Sequence, residues 1–550
     1  MKKLIFIKGL LAATFITTLH SEAPQVITGI VIDQGAAHYI TRFGNLFQHG
    51  IRRFLDQGMV FTNAHYPYAA PVTATGHATL STGCLPAKHG IIMNTWYSPE
   101  GKLTASVEDD REEASVLDAK GSCDCKASSH TIMVPSISDI ASEASTETFP
   151  YHVYSLSFKD RAAIGMGGHK GKAIWFDEHQ QAFTSNYEYF DALPRWVKTF
   201  NAQLGEKIKQ ARTWNLFFDP SHEVYKNYAK EIYHLSTVPG SIAGTKLGVM
   251  GDWKKLQSKK NFMLAPQSNA ILFDLALHCL DQVDQDTSAP KRTLLWVSLS
   301  SLDKVGHMYG PHSMEAIDTL MHMDKIIGDF INTVETRYGK GNVLFFLTAD
   351  HGVSPIPENM SEENYRPAKR IIMHKVVKNL NSKIKEEFGI KELFFGFKTN
   401  QLFWNEKKLQ GLSKSELYDL VKFIKRYLSN LEGIKKVWTF NELASSKSVP
   451  GSFKTLFKNQ LYKGRSGAFF LLGKPFVMLT NYDKGSCHRT PYNHDTHVPL
   501  MFLCPGKIAH TKVRNKVWTT QLAPSLAKVW KLKTHKDMES KSLPKMPSFT

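Results

Sequence analysis

Three aspartates stand at the ends of apolar runs, with histidines beside them. Asp33 closes Val-Ile-Thr-Gly-Ile-Val-Ile, Asp303 follows Leu-Leu-Trp-Val-Ser-Leu-Ser-Ser-Leu, and Asp350 follows Val-Leu-Phe-Phe-Leu-Thr-Ala. His351 adjoins Asp350, His307 lies four residues after Asp303, and His497 immediately precedes the run Val498 to Leu503. Carboxylates brought together repel one another unless cations neutralise them. A mixed set of Asp and His suits zinc, with ligand bonds of about 2.0–2.2 Å. Two ions fit this set better than one. Asp303, His307 and His497 are expected to hold the first, and Asp33, Asp350 and His351 the second. Metal ions about 3.5–4 Å apart can activate the attacking oxygen and stabilise the leaving oxygen of an in-line displacement. Phosphoryl transfer depends on this positioning and charge stabilisation.

The elements that carry these residues read as an α/β fold. Val26 to Ile32, Leu294 to Leu299, Val343 to Leu347 and Val498 to Leu503 are short apolar runs of the kind that form buried strands. Tyr151 to Leu156 and Ala173 to Phe176 are weaker examples. Helical periodicity lies between them, as in Ser313 to Val334, with Ile317, Leu320, Met321, Ile327 and Phe330 on one face. The alternation predicts a doubly wound, largely parallel central sheet. Ligand sites in such sheets gather outside the carboxyl ends of the strands, where the three aspartates fall.

From about Glu358 to Gly473 the pattern changes to a small α+β insertion. A basic amphipathic helix is expected with Ile372, Val376, Leu380, Ile384 and Phe388 at four-residue spacing, then a strand-like stretch from Leu393 to Trp404. A second helix is expected after a capping box of Ser413 and Glu416, burying Leu417, Leu420, Ile424 and Leu428. The expected organisation is therefore a signal peptide at 1–23, a core at 24–357, the insertion at 358–473, and a return segment with the C-terminal tail at 474–550.

The N-terminus reads as an export signal: Lys2, Lys3 and Lys8 precede the apolar run Leu10 to Leu19, and Ser21-Glu22-Ala23 has a small-x-small pattern. That run is too short to span a bilayer. A periplasmic or secreted protein with no stable membrane insertion is expected. Six cysteines, at 84, 123, 125, 279, 487 and 504, are compatible with an oxidising compartment, as disulfides or free thiols. Over 550 residues, 42% are hydrophobic and 21% charged, which excludes a disordered chain. The net charge of +18 favours anionic substrates by long-range attraction, yet no nucleic-acid recognition motif accompanies it and no nucleic-acid partner is expected.

The sequence resembles the alkaline phosphatase superfamily, most closely its phosphate-irrepressible, PafA-type members. The matching segments are VIDQ at 31, PVTATGHATLSTG at 71, HGIIMNTWY at 89, SFKDRAAI at 157, SLDKVGHMYGP at 301, LTADHG at 347 and PYNHDTHVPLMF at 491. They follow the family's order across almost the whole mature chain. The resemblance implies two Zn2+ ions, with Thr73 as both metal ligand and nucleophile, and small-molecule phosphate monoesters as substrates. It also implies that Asn94 donates to a phosphoryl oxygen and that Lys159 and Arg161 hold the doubly charged group. Read as an extended segment, Lys159 and Arg161 point to one face. A helix is expected to begin just after Thr73, over Gly76 to Ser81, and its amides would attract phosphate. Thr75 departs from the proline usual in similar enzymes. His77, His488 and His494 are read as supporting or surface histidines.

Three rival readings differ in what they require. A phosphodiesterase or nucleotide pyrophosphatase of the same superfamily shares everything but the Lys-x-Arg pair. A sulfatase would need Cys84-Leu85-Pro86-Ala87-Lys88 as its modified site, but lysine replaces the usual arginine. A non-catalytic metal- or phosphate-binding protein would keep the ligands without turnover.

Overall fold

Eighteen strands and their helices are seen in a computed structural model that describes residues 22–118, 126–211, 214–219, 221–228, 262–288, 290–362, 365, 367–538, 541–547 and 549. The expected signal at 1–23 lies almost wholly outside these residues, as do Cys123 and Cys125. The strands of the first half are Val26–Ile32 (β1), Met59–His65 (β2), Thr95–Tyr97 (β3), Leu103–Ala105 (β4), Tyr151–Ser157 (β5), Lys172–Asp177 (β6) and Ala182–Thr184 (β7). Then come Arg292–Leu299 (β8), Val343–Thr348 (β9), Lys369–Ile372 (β10), Phe394–Lys398 (β11), Gln401–Trp404 (β12) and Ile434–Thr439 (β13). The last are Phe469–Gly473 (β14), Val477–Thr480 (β15), His497–Leu503 (β16), Thr511–Val513 (β17) and Val517–Trp518 (β18).

The main sheet has the order β17-β2-β16-β9-β1-β8-β5-β6-β7, with β18 also on β2. Its centre, β9-β1-β8-β5-β6, is parallel throughout. All the apolar runs expected as strands belong to it. β16 is antiparallel to both of its neighbours, β9 and β2. Along β1 the side chains alternate between two cores. Val26, Ile30 and Ile32 join one face and Ile27 and Val31 the other, so helices cover both sides. Gly29 lets Phe346 of β9 lie across β1, since a Cβ there would come within 2.2 Å of the ring.

This order brings the three aspartates together. β9, β1 and β8 are neighbours pointing the same way, so Asp350, Asp33 and the helix Ser301–Tyr309 bearing Asp303 emerge side by side. The helix Met314–Tyr338 packs behind them and carries a buried anchor, Asp324. Its carboxylate accepts from the amides of Gln48, His49 and Ile51 at 2.7–2.8 Å and of Arg52 at 3.4 Å, at the start of the helix Gly50–Gln57. Asp324→Ala strands these donors and is expected to lower unfolding stability by about 3–5 kcal/mol. Urea denaturation checks this; a loss below about 1 kcal/mol would show that water replaces the carboxylate.

The later segment forms a four-stranded antiparallel sheet, β11-β12-β14-β13, backed by the helices Met373–Phe388 and Lys414–Ser429. Its strand-like stretch is a hairpin that turns at Thr399 and Asn400, both with positive φ. The Ser413–Glu416 capping box is present. The first helix buries Met373, Val377, Leu380 and Ile384 rather than a strict every-fourth stripe, because a repeat of four drifts around a helix of 3.6 residues per turn. β15, beyond residue 473, pairs in parallel with β10. No helix among the described residues is long and apolar enough to cross a membrane.

Candidate active site

Asp33, Asp303 and Asp350 converge, all with at most 4% exposure. The ammonium of Lys159 lies between two of them, donating to Asp33 Oδ2 and, at 2.6 Å, to Asp303 Oδ2. Burial resists charging Lys159, but Asp303 and Asp33 outweigh it and raise its pKa. Burial and then the charge of Asp33 push Asp350 well above the usual carboxylate range. One ammonium does not satisfy three buried carboxylates: Asp33 Oδ1 and Asp350 Oδ2 have no hydrogen-bond partner.

Three histidines face this cluster in one orientation. His307 Nδ1 is 2.9 Å from Ser486 O, His351 Nδ1 2.9 Å from Gly352 O, and His488 Nδ1 3.0 Å from Pro71 O. Donating Nδ1–H to a carbonyl fixes the tautomer and turns the Nε2 lone pair inward, as metal-binding histidines do. His307 Nε2 reaches Asp303 at 3.2 Å, while His351 Nε2 lies 3.4 Å from Asp33 and 3.3 Å from Asp350. Burial keeps His351 neutral, with a pKa of about 3, and His488 is held well below its ordinary value by burial and by His351. Neutral imidazole is the form that binds metal. The ligand atoms of Asp303, His307 and His488 lie within 4.8 Å of one another, and so do those of Asp33, Asp303 and His351. The donor chemistry fits divalent ions of the zinc type.

His497, expected in the first set, is not brought to it. It opens β16 opposite His65, stacks on that ring at 4.4 Å, and points Nε2 at Thr62 O, 3.1 Å away. β16 runs against β9, which puts its first residue at the same end of the sheet as Asp350, but pairing with β2 holds the ring against His65 and Thr62 instead of the carboxylate cluster. His488, in the loop before β16, stacks on His351 at 3.5 Å and takes the place assigned to His497.

Thr73 sits at the first turn of the fully buried helix Thr73–Thr82, which starts at Thr73 itself rather than at Gly76. Its N-cap, Val72, offers no side-chain cap. The amide of Ala74 donates to Asn94 Oδ1 at 2.8 Å, which leaves the Asn94 Nδ2 donors for a ligand. Gly76 permits this placement, because a Cβ there would meet Asp350 O at 2.1 Å. His77 bridges Thr73 O and Ser298 Oγ at 2.8 Å and, with a burial-lowered pKa of about 4, supports rather than reacts.

Lys159 and Arg161 are not in an extended segment. Lys159 is the N-cap of the helix Asp160–Gly167 and Arg161 lies in its first turn, so the same-face argument fails. The two remain close enough for Arg161's charge to act on Lys159. Arg161 Nε is buried without a partner, and its guanidinium stands 3.8 Å from Asp160. Gln34 was missed by the sequence reading. With φ 69 it donates its amide to Asp350 Oδ1 (3.1 Å) and Nε2 to Asp303 Oδ1 (2.9 Å). A side-chain amide directly after a strand-end aspartate was the signal available. Cys84 donates Sγ–H to Asp537 O at 2.9 Å, beyond the far end of the Thr73 helix, which removes the sulfatase reading.

Buried Asp and His groups at the carboxyl ends of neighbouring parallel strands, with a threonine at a helix N-terminus, place the chain in the alkaline phosphatase superfamily. Within it, the chain belongs to the type I phosphodiesterase / nucleotide pyrophosphatase family, whose model matches residues 28–498. It is 28% identical over 517 residues to alkaline phosphatase PafA of Elizabethkingia meningoseptica, covering 92% of each chain. It is equally 28% identical over 510 residues to alkaline phosphatase PhoV of Synechococcus elongatus, covering 92% of this chain and 89% of that one. The crystal structure of wild-type PafA superposes with a TM-score of 0.84 at 26% identity, over 95% of this chain and 99% of that one.

Proposed function

We propose that the chain is a two-zinc phosphate monoester hydrolase that works through a phosphothreonine. The observation that carries this is the meeting of Thr73, at an uncapped helix N-terminus, with three buried aspartates and three inward-facing neutral or Asp-paired histidines. Asp303, His307 and His488 would hold one ion, and Asp33, Asp350 and His351 the other. Bound there, the ions would acidify the threonine hydroxyl and take charge from the departing oxygen. Thr73 Oγ forms a bond to phosphorus as the alcohol oxygen leaves with the electron pair of its P–O bond and gains a proton. Water then attacks the phosphothreonine, phosphate departs, and Thr73 Oγ is returned. Asn94 Nδ2, the free amides at the helix start, Lys159 and Arg161 orient the phosphoryl oxygens. Alkaline phosphatases PafA and PhoV, similar along nearly their whole length, support the monoester class. Lys2, Lys3, Lys8 and the following apolar run support a periplasmic or secreted enzyme; N-terminal sequencing of cell-exported protein that began at Met1 would sink that part.

A phosphodiesterase is the second reading, favoured by the family match itself. A monoester phosphoryl group carries two negative charges and a diester one, so two cations, Lys159 and Arg161, suit the monoester. On zinc-loaded protein, kcat/KM for p-nitrophenyl phosphate is expected to exceed that for bis-p-nitrophenyl phosphate. The Lys159→Ala, Arg161→Ala double variant should lower the monoester value by about 10²–10⁴-fold and the diester value far less. A diester preference in the wild type would overturn the proposal.

A further inference from the structure

Arg489 follows His488 directly and holds a backbone φ of 121, in a region that favours glycine. Its Nε is buried with no hydrogen-bond partner, and no carboxylate among the described residues pairs with its guanidinium. An arginine has five N–H donors, so an unmatched, half-buried one is costly unless an anion arrives. The strained backbone is held from outside, because Asn400 Nδ2 donates to Arg489 O. Asn400 belongs to the hairpin turn that follows Lys398, a second half-buried cation for which no ion pair is found among the described residues. The Asn400–Arg489 hydrogen bond brings the end of the strand that carries Lys398 up to Arg489, and burial and then the charge of Arg489 lower the pKa of Lys398. Arg489 directly follows His488, whose ligand atom groups with those of Asp303 and His307, so its backbone adjoins that half of the site. From Lys398 a cavity of about 700 Å³ runs along the free edge of β11, lined by Lys378, Lys385 and Lys391 and by the stacked rings of Tyr97 and Phe395. Tyr97 lies three residues after Asn94.

We propose that Arg489 and Lys398 form a second anion subsite, which selects phosphate monoesters whose alcohol carries another phosphate-like dianion. The lysine-lined cavity then receives the far end of that alcohol. This rests on the phosphomonoesterase reading and adds the substrate class to it. Lys159 and Arg161 serve the phosphoryl group being cleaved; Arg489 and Lys398 serve the part that leaves. Bidentate contact from a guanidinium suits a phosphate or phosphonate head.

The test compares ω-phosphonoalkyl phosphates of two to six carbons with alkyl phosphates of the same lengths, on zinc-loaded full-length protein. Each probe has one ester to cleave and, in the first series, one fixed dianion. The best phosphonoalkyl phosphate is expected to exceed its alkyl partner in kcat/KM by about tenfold or more. Arg489→Gly, which relaxes the backbone at φ 121, should bring that ratio close to one, and Arg489→Lys should retain part of it. Lys398→Ala should lower the ratio independently, and added salt should lower it in the wild type. A wild-type ratio near one at every length would overturn the subsite, as would a ratio untouched by Lys398→Ala and either Arg489 variant. Failure to cleave any alkyl phosphate would instead overturn the phosphatase reading.

Discussion

Replacing His488 by alanine is expected to cut kcat/KM for p-nitrophenyl phosphate by more than about a hundredfold. The same change should remove about one equivalent of tightly bound zinc, read by elemental analysis. His497→Ala should keep both its zinc and its turnover, and lose only about 1 kcal/mol of stability with the Thr62 hydrogen bond. The contrast follows from geometry. His488 fixes Nδ1 on Pro71 O and lies over His351, whereas His497 Nε2 is spent on a backbone carbonyl of β2. Equal damage from the two variants, or zinc lost only from His497→Ala, would refute the assignment.

The second large effect concerns which threonine reacts. Thr73→Ala is expected to lower turnover by about 10³-fold or more, because Thr73 is the first residue of the uncapped helix. Thr75→Ala is expected to change turnover by less than about threefold, since Thr75 Oγ1 is buried with no partner and its removal leaves nothing stranded. Mass spectrometry of acid-quenched enzyme should find phosphate on the peptide containing Thr73. A phosphopeptide that survives in Thr73→Ala would move the nucleophile elsewhere.

The centre of the sheet was legible because its strands are buried on both faces and read as unbroken apolar runs. β1, β8, β9 and β16 fall where the runs predicted them, to within two residues at either end. β2 was not legible: Thr62 and Asn63 interrupt its pattern, and its pairing with β16 joins residues more than four hundred positions apart. The aspartates were found because each follows a strand of the parallel centre within a few residues. Which neighbour a side chain turns to at a strand end was not in the pattern, and that misled the choice of histidine. The antiparallel course of β16 does bring His497 to the same end of the sheet as His351, but its ring is taken up by His65 of β2, while His488 reaches the site from the preceding loop. The same limit applied to Lys159 and Arg161. Two-residue spacing implies a shared face only in extended chain, and Asp160 begins a helix.

The position of β2 has a consequence for the order in which the chain can be completed during synthesis. Met59–His65 leaves the ribosome early, but its sheet partners are β16, β17 and β18, all from residue 497 onward. The β9-β1-β8 centre can assemble once residue 351 has emerged, and it then holds Asp33, Asp303, His307, Asp350 and His351. β2 must wait with both hydrogen-bonding edges open until the final tenth of the chain supplies β16, which slots between it and β9, and then β17 and β18. His488 arrives only just before that late stretch. A nascent chain stalled before His488 would therefore carry acidic residues gathered and ready, yet lack the imidazole needed to finish the catalytic pocket.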